Sequence, residues 1–428
     1  MKDIRKEIAT RNYHITKRPL YFLYRFVMKI VSRKYNAHYE IIDDINDCKG
    51  PCFLIFNHLS RLDHIYAMEA AYPRRVNMVC AYNEFFRSHL HFAFKHNNVL
   101  PKKQYCNDIL GTRIISKMIK KGACIAFAPE GLATNDGMNK PIVPGTAHML
   151  KHYKVPVYFL CLRGEHLQNT KACLDERYGA TFATISLLFS KEDLERLTIE
   201  QIDRKINESF KHDEYAWQKE KHIKWTTNGR MAYHLEQILY RCPKCGTEFK
   251  MIGEGDTIKC SNCGNGAKID EYYDFHPFDD NCVIPDTISD WVKEERINII
   301  KEIRKDKNYS YSEKVKIGKL PNDHYLKHYE VCEIVGEGIL TIDHTGLRYK
   351  DNQNSNNDFD INFNNVYTLG TVLDASYFSI YIDGEFNAIY PESKTMMKWN
   401  LLVEEMHRLH VNLYKNFPWN DYMYENIN

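Results

Sequence analysis

The chain has 428 residues, 44% hydrophobic and 27% charged, with Lys plus Arg at 58 against Asp plus Glu at 56. That length and apolar share allow large cores and two to four domains, and the near-even charge argues against polyanion binding, so no nucleic-acid partner is expected. No secretory signal opens the sequence, no apolar run approaches the roughly 20 residues a spanning helix needs, and the 13 cysteines, several in apolar contexts such as Cys52, Cys124 and Cys161, point to a reducing cytosol.

Residues 1–18 are polar and are expected to carry little order. Residues 19–34 place Tyr21, Phe22, Leu23, Phe26, Val27 and Ile30 among Arg25, Lys29, Arg33 and Lys34. A helix there collects the cations on one side. It reads either as an amphipathic helix lying in a membrane interface or as a helix packed on the next domain with a solvated basic face.

From about 40 to 165 strand and helix patterns alternate. Strands are expected over 52–57, 76–81, 98–101, 123–128 and 155–162, and helices over 64–72, 84–96, 107–121 and 145–152. Such alternation means a mostly parallel sheet flanked by helices, an α/β fold. The first strand is a continuous apolar run, as in a strand buried on both faces. It leads into Asn57-His58, which places His58 at the strand's carboxyl end, where open α/β sheets bind ligands. An imidazole takes a proton near neutral pH, and a carboxylate such as Asp63 on its far nitrogen fixes the tautomer. Ser60-Arg-Leu-Asp63 also fits a capping box with Ser60 as N-cap, which would make His58 an ordinary loop residue. Two more motifs fall at strand ends: Lys102-Lys103, and Pro129-Glu130-Gly131. Residues 196–225 read as helix closing this domain.

In order and separation these motifs resemble the glycerolipid acyltransferase family, of lysophosphatidic acid acyltransferase type, over roughly residues 40–225. Asn57-His58-x-Ser60-x-x-Asp63 resembles the first block, Phe127-Ala-Pro-Glu130-Gly131 the third and Val155-Pro-Val157 the fourth, with Lys102 and Lys103 where the second block carries a basic residue. The resemblance implies acyl transfer from acyl-CoA or acyl carrier protein to the hydroxyl of a lysophospholipid or related lipid, with no covalent acyl-enzyme. It implies His58 as general base, Asp63 as its orienter, and Asn57, Ser60, Lys102, Lys103, Glu130 and Gly131 on the substrate side. A lipid-like acceptor and the helix at 19–34 together point to a cytoplasmic protein peripherally associated with the cytoplasmic membrane. Two departures stand out. Ala133 replaces the third block's arginine, and lysine replaces the second block's, giving a point charge instead of a bidentate fork. Both favour an acceptor less charged than a phosphomonoester. The rival reading is an inactive acyltransferase-like adaptor that binds protein or membrane partners.

Cys242-x-x-Cys245 and Cys260-x-x-Cys263, each followed by Gly, have the spacing of a four-cysteine structural zinc ribbon. Residues 289–306 form an amphipathic helix. Residues 328–390 carry short alternating segments separated by turns, including a hairpin at Asp383-Gly384, and a helix follows from about 394. Some seven strands closed by one helix resemble a pleckstrin-homology-like barrel, a likeness of element order alone, for which a protein partner is expected. The resulting division is 1–40 N-terminal helix region, 41–235 acyltransferase domain, 236–275 zinc ribbon, 276–327 helical connector and 328–428 barrel plus helix.

Overall fold

A computed structural model describes residues 3–171, 176–372 and 374–420. The N-terminal segment is helical, contrary to the low order expected of it. Helix α1 (Ile4–Thr10) is capped by Asp3, whose carboxylate accepts the Lys6 N–H at 2.9 Å. Ile4 and Ile8, one turn apart, are buried against Leu320, Leu326 and Phe386 from the far end of the chain. Helix α2 (Arg18–Ser32) follows.

The first sheet comprises β1 (Asn36–Ile41), β2 (Cys52–Phe56), β3 (Val76–Ala81), β4 (Leu100–Lys102), β5 (Cys124–Phe127), β6 (Val157–Arg163) and β7 (Ala180–Phe189), in the order β1-β7-β6-β2-β5-β3-β4. The strands from β2 to β6 run parallel to one another, while β7 is antiparallel to β6 and β1 parallel to β7. The intervening helices are α3 (Asp63–Ala70), α4 (Ser88–His96), α5 (Ile109–Lys120), α6 (Thr146–Tyr153) and α7 (Glu165–Gln168). All five residues of β2 are buried, and successive side chains enter opposite layers. Phe53 and Ile55 pack with Ile114, Leu150 and Ile206, whereas Cys52, Leu54 and Phe56 pack with Tyr66, Met68 and Tyr21. Each large apolar side chain buried this way contributes about 1.5–3 kcal/mol. The helix read over 196–225 is broken into pieces: α8 (Lys191–Arg196), α9 (Ile199–Phe210) and α10 (Glu214–Lys221). Thr198 and Gln201 form a capping box that starts α9, and Asp213 caps α10.

A second, antiparallel sheet of β8 (Met251–Glu254), β9 (Thr257–Cys260), β10 (Gly266–Ile269) and β11 (Phe275–Pro277) follows the first Cys knuckle, and α11 (Ile288–Lys305) succeeds it. The third sheet contains β12 (Ser310–Lys319), β13 (Glu333–Asp343), β14 (Gly346–Asp351), β15 (Phe359–Ile361), β16 (Gly370–Thr371), β17 (Phe378–Ile382) and β18 (Glu385–Pro391), followed by α12 (Met396–His410). Its order is β15-β14-β13-β12-β18-β17-β16, antiparallel throughout. Two expectations are corrected here. Strand β12, read as connector because its polar alternation hides it, is the middle strand. The barrel is an open half-barrel, since β15 and β16 are separate edges. The hairpin at Asp383-Gly384 is present, and both turn residues have positive φ, 50° and 78°, as a tight two-residue turn requires. One apolar core runs from Trp225 through Ile258 and Trp291 to Phe378 and Trp399, so the small sheet, α11 and the half-barrel pack as one body.

Candidate functional site

Strands β2 and β5 are neighbours in parallel register, Ile55 opposite Phe127, so the segments after them leave the same sheet edge. The first delivers His58, whose Nδ1 lies 2.7 Å from Asp63 Oδ2. Asp63 is buried and the His58 side chain remains 29% exposed. The same carboxylate accepts the backbone N–H groups of Leu59 and Ser60, each at 2.9 Å, and the Ser60 hydroxyl at 3.1 Å. Asp63 thus folds the turn and holds the imidazole with one carboxylate. The capping box itself does not form: α3 begins at Asp63, and Ser60 Oγ accepts from Leu62 N at 3.0 Å. The Ser60 hydroxyl is therefore spent within the turn.

Asn57 clamps two strand ends together. Its carboxamide donates to Leu162 O at 2.9 Å and accepts from Leu162 N at 2.7 Å, tying β2 to the end of β6. Glu130 is fully buried, and both of its carboxylate oxygens face backbone donors: His58 N at 2.6 Å and Lys140 N at 2.7 Å. Burial pushes its carboxyl up to about 8, although those two N–H groups pull the other way. Gly131 has φ of 79°, and a Cβ there would meet the Tyr105 ring at 3.0 Å, so the position needs glycine. Tyr105 Oη donates to Glu130 O at 2.9 Å and Gln104 Nε2 to Gly131 O at 2.6 Å. Neither residue carried a signal in the sequence.

The lysine pair divides. Lys102 Nζ lies 3.5 Å from Asp108 and stays partly exposed. Lys103 Nζ reaches away to the Gly384 carbonyl of the half-barrel and lies over the Tyr82 ring. Lys103 is therefore engaged in joining the units. The Ala133 carbonyl accepts from Lys171 Nζ at 2.7 Å. Burial holds that amine well below the ordinary lysine range.

Cys242, Cys245, Cys260 and Cys263 converge, with all four sulfurs within 4.8 Å of one another. The Cys242–Cys263 and Cys245–Cys260 separations are 3.7 and 3.8 Å. A tetrahedron with ~2.3 Å metal–sulfur bonds has edges of about 3.8 Å, so the cluster fits a metal ion of that kind. Asn265 and Asn262 each point an amide donor at a sulfur from 3.7 Å, as outer groups around thiolate ligands do.

Residues 33–163 match the family model described as Acyltransferase. The matched segment includes His58, Asp63, Lys102, Glu130 and Gly131. No curated protein matches the chain. Among solved structures, the 1-acyl-sn-glycerophosphate (LPA) acyltransferase PlsC of Thermotoga maritima is similar at 13% identity with a TM-score of 0.38, over 52% of this chain and 89% of that one.

Proposed function

We propose that this protein transfers an acyl group from a thioester, acyl-CoA or acyl carrier protein, to the hydroxyl of a lysophospholipid-like acceptor. The observation that carries the reading is the 2.7 Å contact between His58 Nδ1 and Asp63 at the end of a buried strand, inside the segment that matches the acyltransferase model. With Nδ1 held by the carboxylate, Nε2 takes the proton of the acceptor hydroxyl. The oxygen attacks the thioester carbonyl, the C–S bond breaks, and the departing thiolate recovers the proton from the imidazolium. Glu130 acts by holding the His58 peptide, and Lys102 is the cation of the strand-end pair left for an acceptor headgroup.

The four-cysteine cluster binds structural zinc. With all four positions filled by sulfur the ion has no place for substrate, and its work is folding. The half-barrel keeps a likeness to pleckstrin-homology-like domains in the order of its strands, an analogy of fold alone. Membrane attachment is peripheral and runs through α2. That helix docks through buried Tyr21 and the Arg25–Glu69 pair at 2.7 Å, while Leu23 and Phe26 stay 61% and 59% exposed. No helix among the described residues is long and apolar enough to cross a membrane.

The acceptor carries less negative charge than a phosphomonoester, because no arginine fork stands in the third block and Lys103 is engaged elsewhere. Turnover of lysophosphatidic acid against a zwitterionic lysolipid, with wild type and Lys102→Ala, tests this. Efficient lysophosphatidic acid turnover whose KM rises sharply in Lys102→Ala would refute it.

A further inference from the structure

Helix α12 has a clear apolar stripe of Trp399, Leu402 and Met406, yet its polar flank is buried too: Asn400, Glu404, Glu405 and Arg408 are all nearly inaccessible. Burying such a flank is costly unless every group finds a partner. The partners here come from α11, from the half-barrel and from the loop that follows Glu130. Lys140 Nζ lies 3.2 Å from Glu404 Oε1, and Arg296 NH2 lies 2.9 Å from Glu404 Oε2. Thr368 Oγ1 donates to Glu404 at 2.8 Å, and Asn135 Nδ2 to Asn400 Oδ1 at 3.1 Å. Thr371 of β16 donates to Asn135 Oδ1 at 2.9 Å. Burial alone would push the Glu404 carboxyl up, but Lys140, Arg296 and Arg408 outweigh it and hold it well below the usual carboxylate range.

The other edge of this loop holds the peptide of His58. Its N–H reaches Glu130, whose second oxygen takes the Lys140 N–H, and its C=O accepts from Thr134 N at 2.9 Å. Lys140 therefore joins the two sides within one residue, backbone to Glu130 and side chain to Glu404. The narrow cleft beside it carries both signs, with Lys140 and Arg296 facing Glu404, so it is a seam between units and not an anion pocket. We propose that the C-terminal helix is a working part of the acyl-transfer site, with Glu404 a positioning residue that acts through Lys140 and Glu130 on His58. This rests on the acyl-transfer reading for its kinetic consequence and on geometry alone for its structural one.

The test compares full-length wild type, Glu404→Gln, and Lys398→Met. Lys398, on the same helix, pairs at 2.5 Å with Glu248 of the cysteine-bearing segment and not with the loop, so its loss controls for general weakening of the seam. The readouts are the carbethoxylation rate of His58 by diethylpyrocarbonate, amide exchange over 131–141, and thiol release from palmitoyl-CoA with lysolipid. In Glu404→Gln the first two should rise several-fold and kcat should fall ~10-fold or more with KM little changed, since a 1 Å misplacement costs up to about 10² in rate. Lys398→Met should match wild type in all three, and Lys140→Arg, which keeps the pair, should stay near it. If Glu404→Gln does not fold, Lys140→Met cuts the same link from the loop side. Equal behaviour of the Glu404 and Lys398 variants overturns the proposal, as does a KM effect without a kcat effect. A wild type that releases no thiol, while its His58 reactivity still responds to Glu404→Gln, overturns the acyl-transfer reading and leaves the positioning link standing.

Discussion

Replacing Asp63 by Asn separates a structural carboxylate from an orienting one. In the native turn Oδ2 accepts from His58 Nδ1 and Leu59 N, while Oδ1 accepts from Ser60 N and Ser60 Oγ. An amide of the same shape must place its NH2 at one of those two positions. At the Oδ1 position it orphans the Ser60 N–H and leaves a neutral carbonyl on the imidazole. At the Oδ2 position it orphans the Leu59 N–H and forces the proton of His58 onto Nε2, so that the ring can no longer act as base. Either way one buried donor loses its partner, at ~1–3 kcal/mol, and a charge-assisted bond becomes a neutral one, at about 1 kcal/mol. The total is roughly 2–4 kcal/mol of stability. Loss of the orienter should also lower kcat by ~10² to 10⁴. Thermal unfolding and thiol release from acyl-CoA, measured on the same preparations, check both. A variant that loses about 1 kcal/mol or more yet keeps kcat within roughly three-fold would mean that Asp63 only caps the turn.

Three further outcomes are expected. Freshly prepared reduced protein should contain one zinc per chain by elemental analysis, and Cys245→Ser or Cys260→Ser should release it and open residues 240–270 to proteolysis; absence of zinc from wild type contradicts this. Because burial raises the Glu130 carboxyl to about 8, the folded state keeps that proton longer than the unfolded chain does, and its contribution to stability falls as pH rises from about 4.5 to 8. Wild type should therefore gain stability relative to Glu130→Gln on going from pH 8 to pH 5, and a difference in melting temperature independent of pH would refute the assignment. Vesicle flotation should weaken for Leu23→Ser with Phe26→Ser and in high salt, where the Debye length shrinks from ~10 Å at 0.1 M to ~3 Å at 1 M; unchanged flotation would remove α2 from the membrane contact.

What the sequence reveals depends on where each residue's constraint comes from. Strand β2 is legible because both of its faces are buried, leaving an unbroken apolar run. Strand β7 is not, since Phe182 and Leu187 are partly exposed and the strand runs against the βα alternation that frames the other strands. Helix α1 hides behind its charges, although Ile4 and Ile8 at one-turn spacing carry a weak signal. His58 and Asp63 are five residues apart, and their pairing is local enough to read from spacing. The link from Lys140 to Glu404 spans 264 positions. An acid on the polar flank of an amphipathic helix looks solvated until the fold sets the loop after Glu130 against it. The backbone contacts of Asn57 and Ser60 stay hidden for a related reason: their motif positions are visible, but the backbone groups that engage them are not.

The central claim is that His58 is the base of an acyl transfer. Purified full-length protein with palmitoyl-CoA and a panel of lysolipids, analysed by mass spectrometry for the acylated product, tests it most directly against His58→Ala. Wild type should form an acylated lipid with matching release of thiol, and His58→Ala, folded to the same melting temperature within a few degrees, should lose ~10² to 10⁴ of that rate. Equal product from both proteins, or none from wild type with any acceptor and with either acyl-CoA or acyl carrier protein as donor, would contradict the account.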